Sequence, residues 1–338
     1  MPDYLYRVLR GIFRAARSPA TILLSFFCIQ ACTSKPTPIA EHGHLSVSGN
    51  RIVNQHGQPV SLAGPSLFWG NKGWLGDRFF HAESVAYARK EWNAGIIRVA
   101  MGVENNGGII HDWQGRVAKV KTVVDAAIAQ GMYVIIDWHS HHAEDNPEAA
   151  QRFFVEMAQS YGDHPHVIYE IYNEPLEDTD WSTVIKPYAQ TLITAIRAVD
   201  SDNIIVVGTQ SWSQDVDKAA DDPLTGFSNI AYALHFYAGT HRQELRDKAE
   251  YALNKGLALM VTEWGAVDAD GDGAVDRKET LRWLEFMRKH QLSHCNWSFN
   301  NKKEGASVFK PHTDPTGPWK DKDLTESGLF VKDIIKNW

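Results

Sequence analysis

From His44 onward the chain alternates between two hydrophobic patterns. Short runs that are apolar throughout mark strands buried on both faces. Stretches in which apolar residues recur every three to four positions mark helices with one buried face. The runs predict strands over 60–69, 96–101, 133–139, 167–172, 204–208, 230–237, 257–262 and 293–299. The periodic stretches predict helices over 84–93, 117–130, 147–161, 181–199, 243–254, 277–290 and 328–336, with Gly131 as a C-cap. Strands buried on both faces and joined by helices imply a parallel sheet, and eight such units close into a single-domain (β/α)8 (TIM) barrel. An open doubly wound sheet is the competing architecture, but it calls for a glycine-rich phosphate loop after the first strand, which this chain does not show. Residues 43–58, with the turn-like Asn54-Gln55-His56-Gly57, predict a small N-terminal β-hairpin covering the barrel floor.

The first 43 residues follow a different logic. Arg7, Arg10, Arg14 and Arg17 precede the apolar run Ile22–Ile29, which is too short to span a bilayer. The run leads to Ile29-Gln30-Ala31-Cys32 and then to Thr33-Ser34-Lys35-Pro36-Thr37-Pro38. Residues 1–32 therefore read as a signal peptide resembling the bacterial lipoprotein type, with Cys32 carrying the lipid, and 33–43 as a linker to a domain over 44–338. An ordinary secretory signal is the alternative. Either way the domain is expected to be exported, as a cell-surface or outer-membrane lipoprotein or a secreted protein. Net charge is −7, and residues 1–32 carry +3, so the remainder sits near −10. With no basic run beyond the leader, nucleic acid is not an expected partner, and membrane attachment is expected only through lipid on Cys32. Cys295 stands alone in the domain, so no internal disulfide is expected there.

The chemistry lies at the C-terminal ends of the predicted strands, the face on which barrel active sites are built. Arg98, His139, Asn173-Glu174, His235, Tyr237, Glu263 and Trp297 come from six such ends. An isolated buried glutamate is usually a structural ion pair. Two glutamates delivered to one mouth, in Ile171-Tyr172-Asn173-Glu174-Pro175 and Val261-Thr262-Glu263-Trp264-Gly265, are what hydrolysis of a glycosidic bond requires. Twelve tryptophans are enough to include flat platforms for sugar faces, with Trp69 and Trp212 placed at or just beyond strand ends. His139, His141 and His142 form a possible zinc cluster without an acidic or cysteine partner at ligand spacing, so His141 and His142 read as loop residues at the cleft rim.

As a set, Arg98, Trp138-His139, Asn173-Glu174-Pro175, His235-Phe236-Tyr237, Glu263-Trp264-Gly265 and Trp297 resemble glycoside hydrolase family 5, and within it the bacterial endoglucanases. The likeness runs over about 44–338. It implies a retaining endo-β-1,4-glucanase with Glu174 as acid/base and Glu263 as nucleophile, no catalytic cofactor, a β-glucan substrate and a monomeric enzyme. It further implies that Arg98 and Tyr237 hold Glu263, with Arg98 keeping it ionised, and that Glu174 has a raised pKa. Asn173 is expected to meet the sugar 2-hydroxyl. His139 and His235 would bind sugar or orient the carboxylates, Trp297 would lie beneath the sugar, and Lys302 and Glu304 would contact sugars on the non-reducing side. The same machinery aimed at mannan, mixed-linkage glucan or xyloglucan is the alternative among enzymes. A surface glycan-binding protein that has lost catalysis is the alternative from another class.

Asp268, Asp270, Asp272, Asp276 and Glu279 match the ligand spacing of a calcium loop, with Gly273 at the sixth position. A structural Ca2+ is one expectation for this stretch and a solvated acidic turn the other, since no helix enters the loop. The lipid expectation has its own test: Cys32→Ser should abolish incorporation of radiolabelled palmitate in vivo, and retained label would refute the anchor.

Overall fold

The computed structural model describes residues 36–338, so the expected signal peptide and Cys32 lie outside the described residues. The described residues open with a short helix, Pro38–His42, inside the segment expected to be linker. Pro38 is buried, Ile39 donates its N–H to the Gly131 carbonyl at 3.1 Å, and the Tyr133 hydroxyl donates to the Gly43 carbonyl at 2.5 Å. Strands β1 (Ser46–Ser48) and β2 (Arg51–Val53) form an antiparallel hairpin. Its turn is at Gly49-Asn50. Asn54 to Gln58 makes a second turn, in which the Asn54 carboxamide oxygen accepts from the amides of His56 and Gln58.

Eight parallel strands then close a barrel: β3 (Ala63–Leu67), β4 (Ile96–Gly102), β5 (Tyr133–His139), β6 (Val167–Glu170), β7 (Ile205–Val207), β8 (Ile230–Tyr237), β9 (Leu259–Gly265) and β10 (His294–Phe299), with β10 pairing back to β3. Helices 82–92, 113–129, 147–161, 186–197, 243–254, 277–290 and 326–336 form the outer layer. The predicted helix 181–199 begins with a π-helical turn over Trp181–Ile185. Short helices at 210–213 and 216–221, which the pattern did not predict, fill the β7–β8 connection.

The first strand is shorter than predicted, and the reason is physical. Val60 and Leu62 are apolar because they pack beneath the barrel, whereas the parallel ladder begins only at Ala63, opposite His294. Val60 and Leu62 join Leu45 and Ile52 of the hairpin region against Ile96, Ile135, Ile168, Met260 and Cys295, sealing the barrel floor. A larger apolar layer lies between strands and helices. Above the floor the barrel interior turns polar. Strand register sets this level by pairing Ala100 with Asp137, Asp137 with Glu170, and His235 with Glu263.

Barrel closure leaves no room at Gly64, where a Cβ would overlap the Ile96 carbonyl oxygen of the neighbouring strand. Gly64→Ala should cost about 3 kcal/mol or more, read as a fall in urea midpoint and melting temperature. A variant as stable as wild type would contradict this packing.

Candidate active site

Arg98, fully buried on β4, is the hub of the polar level. Its Nε donates to Glu170 Oε2 at 2.7 Å, and its Nη1 to Glu263 Oε2 at 2.9 Å and Ser66 Oγ at 3.3 Å. Its Nη2 donates to Asn173 Oδ1 at 2.6 Å and lies 2.9 Å from Asp137 Oδ2. Such a buried cation is sustainable only because carboxylates surround it. Glu170 and Asp137 were missed as site residues, although each is an acidic side chain inside an apolar strand run, which is the sequence signal for a buried partner.

Glu263, on β9, is held from two sides: Arg98 reaches Oε2, and the Tyr237 hydroxyl donates to Oε1 at 2.7 Å. Glu174, just beyond β6, carries an imidazole on each oxygen. His235 Nδ1 meets Oε1 at 2.9 Å and His141 Nε2 meets Oε2 at 3.1 Å. His235 is anchored behind by Thr262 Oγ1 at 2.8 Å, which in turn donates to Glu170 Oε1 at 2.6 Å. One ligand atom each from Glu174, His235 and Glu263 lie within 4.8 Å of one another. His141 therefore belongs to the site rather than to its rim.

The electrostatics reverse the expected order of the two carboxyls. Burial alone would raise Glu174, but the hydrogen bonds from His141 and His235 outweigh it and hold the group at about 2. Burial raises Glu263 above the usual carboxylate range, and the negative charge of Glu174 adds to this against the pull of His235 and Arg98. Burial opposes the charge of His235, yet its bonds to Glu170 and Glu174 raise it from 6.5 to about 9. His139 goes the other way: burial and the nearby Arg98 charge push it well below its ordinary value. The site thus stores a proton on imidazolium, beside the carboxylate that can receive it.

Asn173 spends its Oδ1 on Arg98, leaving a buried Nδ2 without a partner among the described residues. His139 bonds Asp137 through Nδ1 at 2.7 Å, stacks on Trp297 at 5.0 Å, meets the edge of Trp69 at 4.1 Å and lines the cleft beside Glu174. Two hollows flank Glu174. One, of about 230 Å³, is walled by Trp69, Trp297, His141, Lys302 and Glu304; the other, of about 410 Å³, by Trp212, Gln214, His235 and His241. Lys302 and Glu304 are paired with each other at 2.5 Å. Trp212 projects 40% exposed from three successive residues with positive φ, Ser211 to Ser213. That run is tied to the Glu174 loop: Trp212 N–H donates to the Pro175 carbonyl and Ser213 Oγ to that of Asn173, both at 2.8 Å.

The five residues of the calcium pattern do not converge. Asp276 caps helix 277–290 and pairs with Arg242 at 2.8 Å, and Glu279 pairs with Arg246 at 2.6 Å and Arg282 at 2.9 Å. Asp270 and Asp272 accept from backbone amides of Asp272 and Gly305. Among the described residues, the His, Cys, Asp and Glu donors that gather at metal spacing are Glu174, His235 and Glu263. The stretch is a βα loop laced to residues 304–306, and arginines hold the two donors that would complete a calcium cage.

Because His235 is raised, its stabilisation is complete below pH 6.5, its unfolded value, and is lost as pH climbs through about 9. Unfolding free energy should fall across that window by up to about 3 kcal/mol. His235→Asn should be less stable below pH 6.5 and should lack most of the slope; an unchanged slope would refute the assignment.

Residues 53–303 match the family described as Cellulase (glycosyl hydrolase family 5). The chain is 55% identical over 294 residues to Endoglucanase Z of Dickeya dadantii, covering 87% of this chain and 66% of that protein. It is 46% identical over 297 residues to an Endoglucanase of Clostridium saccharobutylicum, covering 87% and 65%. The chain thus spans just under two thirds of the length of these relatives. Among solved structures, a protein from Cytophaga hutchinsonii superposes with a TM-score of 0.87 at 50% identity, over 89% of this chain and 97% of the other. The catalytic domain of Thermobifida fusca endoglucanase Cel5A, solved with cellotetraose, superposes with a TM-score of 0.83 at 32% identity, over 89% and 99%. With a closed eight-stranded barrel and two glutamates facing each other at its C-terminal mouth, this chain belongs to glycosyl hydrolase family 5.

Proposed function

We propose that the protein is a retaining endo-β-1,4-glucanase that cleaves internal bonds of cellulose-like β-glucans. The observation that carries this reading is the approach of Glu174 and Glu263, whose oxygens come within 4.8 Å. Double displacement needs carboxyls roughly 5 Å apart, so that one can reach the anomeric carbon directly; inversion needs about 6.5–9.5 Å to admit a water. The endoglucanase relatives and the cellotetraose-bound structure support the substrate class.

In this reading Glu263 is the nucleophile. Arg98 and Tyr237 aim it and tie up the lone pairs that do not face the sugar. Glu174, its proton drawn from the imidazoles beside it, protonates the departing glycosidic oxygen and then deprotonates the water that releases the glycosyl-enzyme. The free Nδ2 of Asn173 is the donor for the sugar 2-hydroxyl, a contact that tightens as positive charge develops at the ring. Trp297 lies under the sugar at the cleavage point. Trp69, Lys302 and Glu304 serve the non-reducing side and Trp212 the leaving side. No step calls for a metal or other cofactor. The enzyme acts as a monomer after export, secreted or tethered through lipid on Cys32.

The test is reducing-sugar release from carboxymethyl-cellulose by residues 36–338, with glucomannan, barley glucan and xyloglucan in parallel. Glu174→Ala should lower kcat on natural leaving groups by about 10²- to 10⁴-fold and Glu263→Ala by at least as much, with azide restoring turnover of an activated aryl cellobioside by entering the vacated space. Activity on another polymer alone would move the substrate and keep the mechanism. Glycan binding without hydrolysis of any polymer would overturn the enzyme reading.

A further inference from the structure

We infer that His141 is a positioning residue, a latch that loads the outer oxygen of Glu174 with a proton and is then displaced by the sugar chain entering the Trp69–Trp297 half of the cleft. This rests on the double-displacement reading above. An acid that protonates a glycosidic oxygen must carry its proton on one carboxyl oxygen and point it at the substrate. Each oxygen of Glu174 carries an imidazole, His235 on Oε1 and His141 on Oε2, and an O–H formed on either must part from its imidazole to point at the glycosidic oxygen.

The two differ in what holds them. His235 is buried and fastened behind by Thr262 and Glu170. The His141 side chain is 36% exposed, and its hydrogen bond to Glu174 is the side-chain partner found for it among the described residues. Its main chain is fixed, since the Tyr172 hydroxyl donates to its carbonyl at 3.0 Å, so movement is confined to the imidazole. It stands in the wall shared by Trp69, Trp297 and Lys302, where it meets Trp69 edge-on at 5.6 Å. A sugar stacked there competes for its space.

The proton count closes. The Nε2–H bond of the His141 imidazolium breaks as an O–H bond forms on Glu174 Oε2, leaving two neutral groups that no longer attract each other as ions. The neutral imidazole swings out, and Glu174 passes the proton to the glycosidic oxygen as that bond to carbon breaks. The proton later taken from water returns to His141. Around the pair stand Glu104 after β4, His139 on β5, His235 on β8, His241 after β8 and Glu263 on β9. Burial opposes the His141 charge, but its hydrogen bond to Glu174, aided by the nearby charges of Glu263 and Glu104, raises its pKa.

Two measurements test this in the full chain. In His141→Ala and His141→Gln the imidazolium that holds the proton for Glu174 is gone, so the acid loses its proton at lower pH. The basic limb of kcat/KM on cellotetraose should move down by about one pH unit, with the fold intact by far-UV circular dichroism. In Glu263→Gln protein with 15N-labelled histidine, adding cellotetraose should lower the His141 pKa as it parts from Glu174. A basic limb that is unmoved or moves up in both variants, or a His141 pKa that cellotetraose leaves unchanged or raises, overturns the latch while hydrolysis by wild type upholds the glucanase reading. If wild type hydrolyses none of the glucans, the glucanase reading falls and the latch with it.

Discussion

One buried guanidinium organises this molecule. Arg98 enters the barrel above the apolar floor and faces three carboxylates, one amide and one hydroxyl. A cation in that setting is costly unless it is surrounded, and the carboxylates are equally costly without it. Each partner comes from a different strand or strand end: Ser66 from β3, Asp137 from β5, Glu170 from β6, Asn173 beyond it, Glu263 from β9. The ion cluster therefore ties barrel closure to the chemistry. The charge that aims Glu263 also makes the strands of the polar level depend on one another.

A second constraint follows from crowding carboxyl groups. Glu170, Glu174 and Glu263 share a small volume, and the imidazolium of His235 lies between the first two. Burial penalises every charge there, so the protonation pattern is set by which donors reach which oxygen. Two imidazoles on Glu174 make it the stronger acid of the pair, and Glu263, facing that negative charge, the weaker. The family resemblance leads to the opposite order, because it concerns the moment of reaction, when sugar lies between the groups. The two orders are connected by moving one proton between neighbouring side chains.

Much of this was legible without coordinates, and the parts that were not have identifiable causes. Apolar runs revealed all eight barrel strands because strands buried on both faces need them. Residues 60–62 were overread, since packing beneath a barrel and pairing within it demand the same hydrophobicity. Residues 38–42 looked like linker because a five-residue helix capped by Thr37 has too few positions to show a period. The acidic pattern from Asp268 to Glu279 suggested calcium, but spacing cannot reveal that Arg242 and Arg246 approach from the helix before β9 and its entry. His141 was read as rim, because nothing in Ser140-His141-His142 tells which imidazole turns toward a glutamate 33 residues away.

The order of the barrel strands and main outer helices, the two glutamates and most of the side chains at their mouth could be read from the sequence. These follow from periodicity and from the rule that a parallel barrel carries its polar residues at the C-terminal strand ends. Which donor meets which oxygen is set by the tertiary fold: Arg98 and Tyr237 on Glu263, His235 and His141 on Glu174, Arg242 and Arg246 on the acidic loop. Those pairings join residues tens to more than a hundred positions apart, and at such separations partner choice depends on register and side-chain direction, which no local pattern encodes.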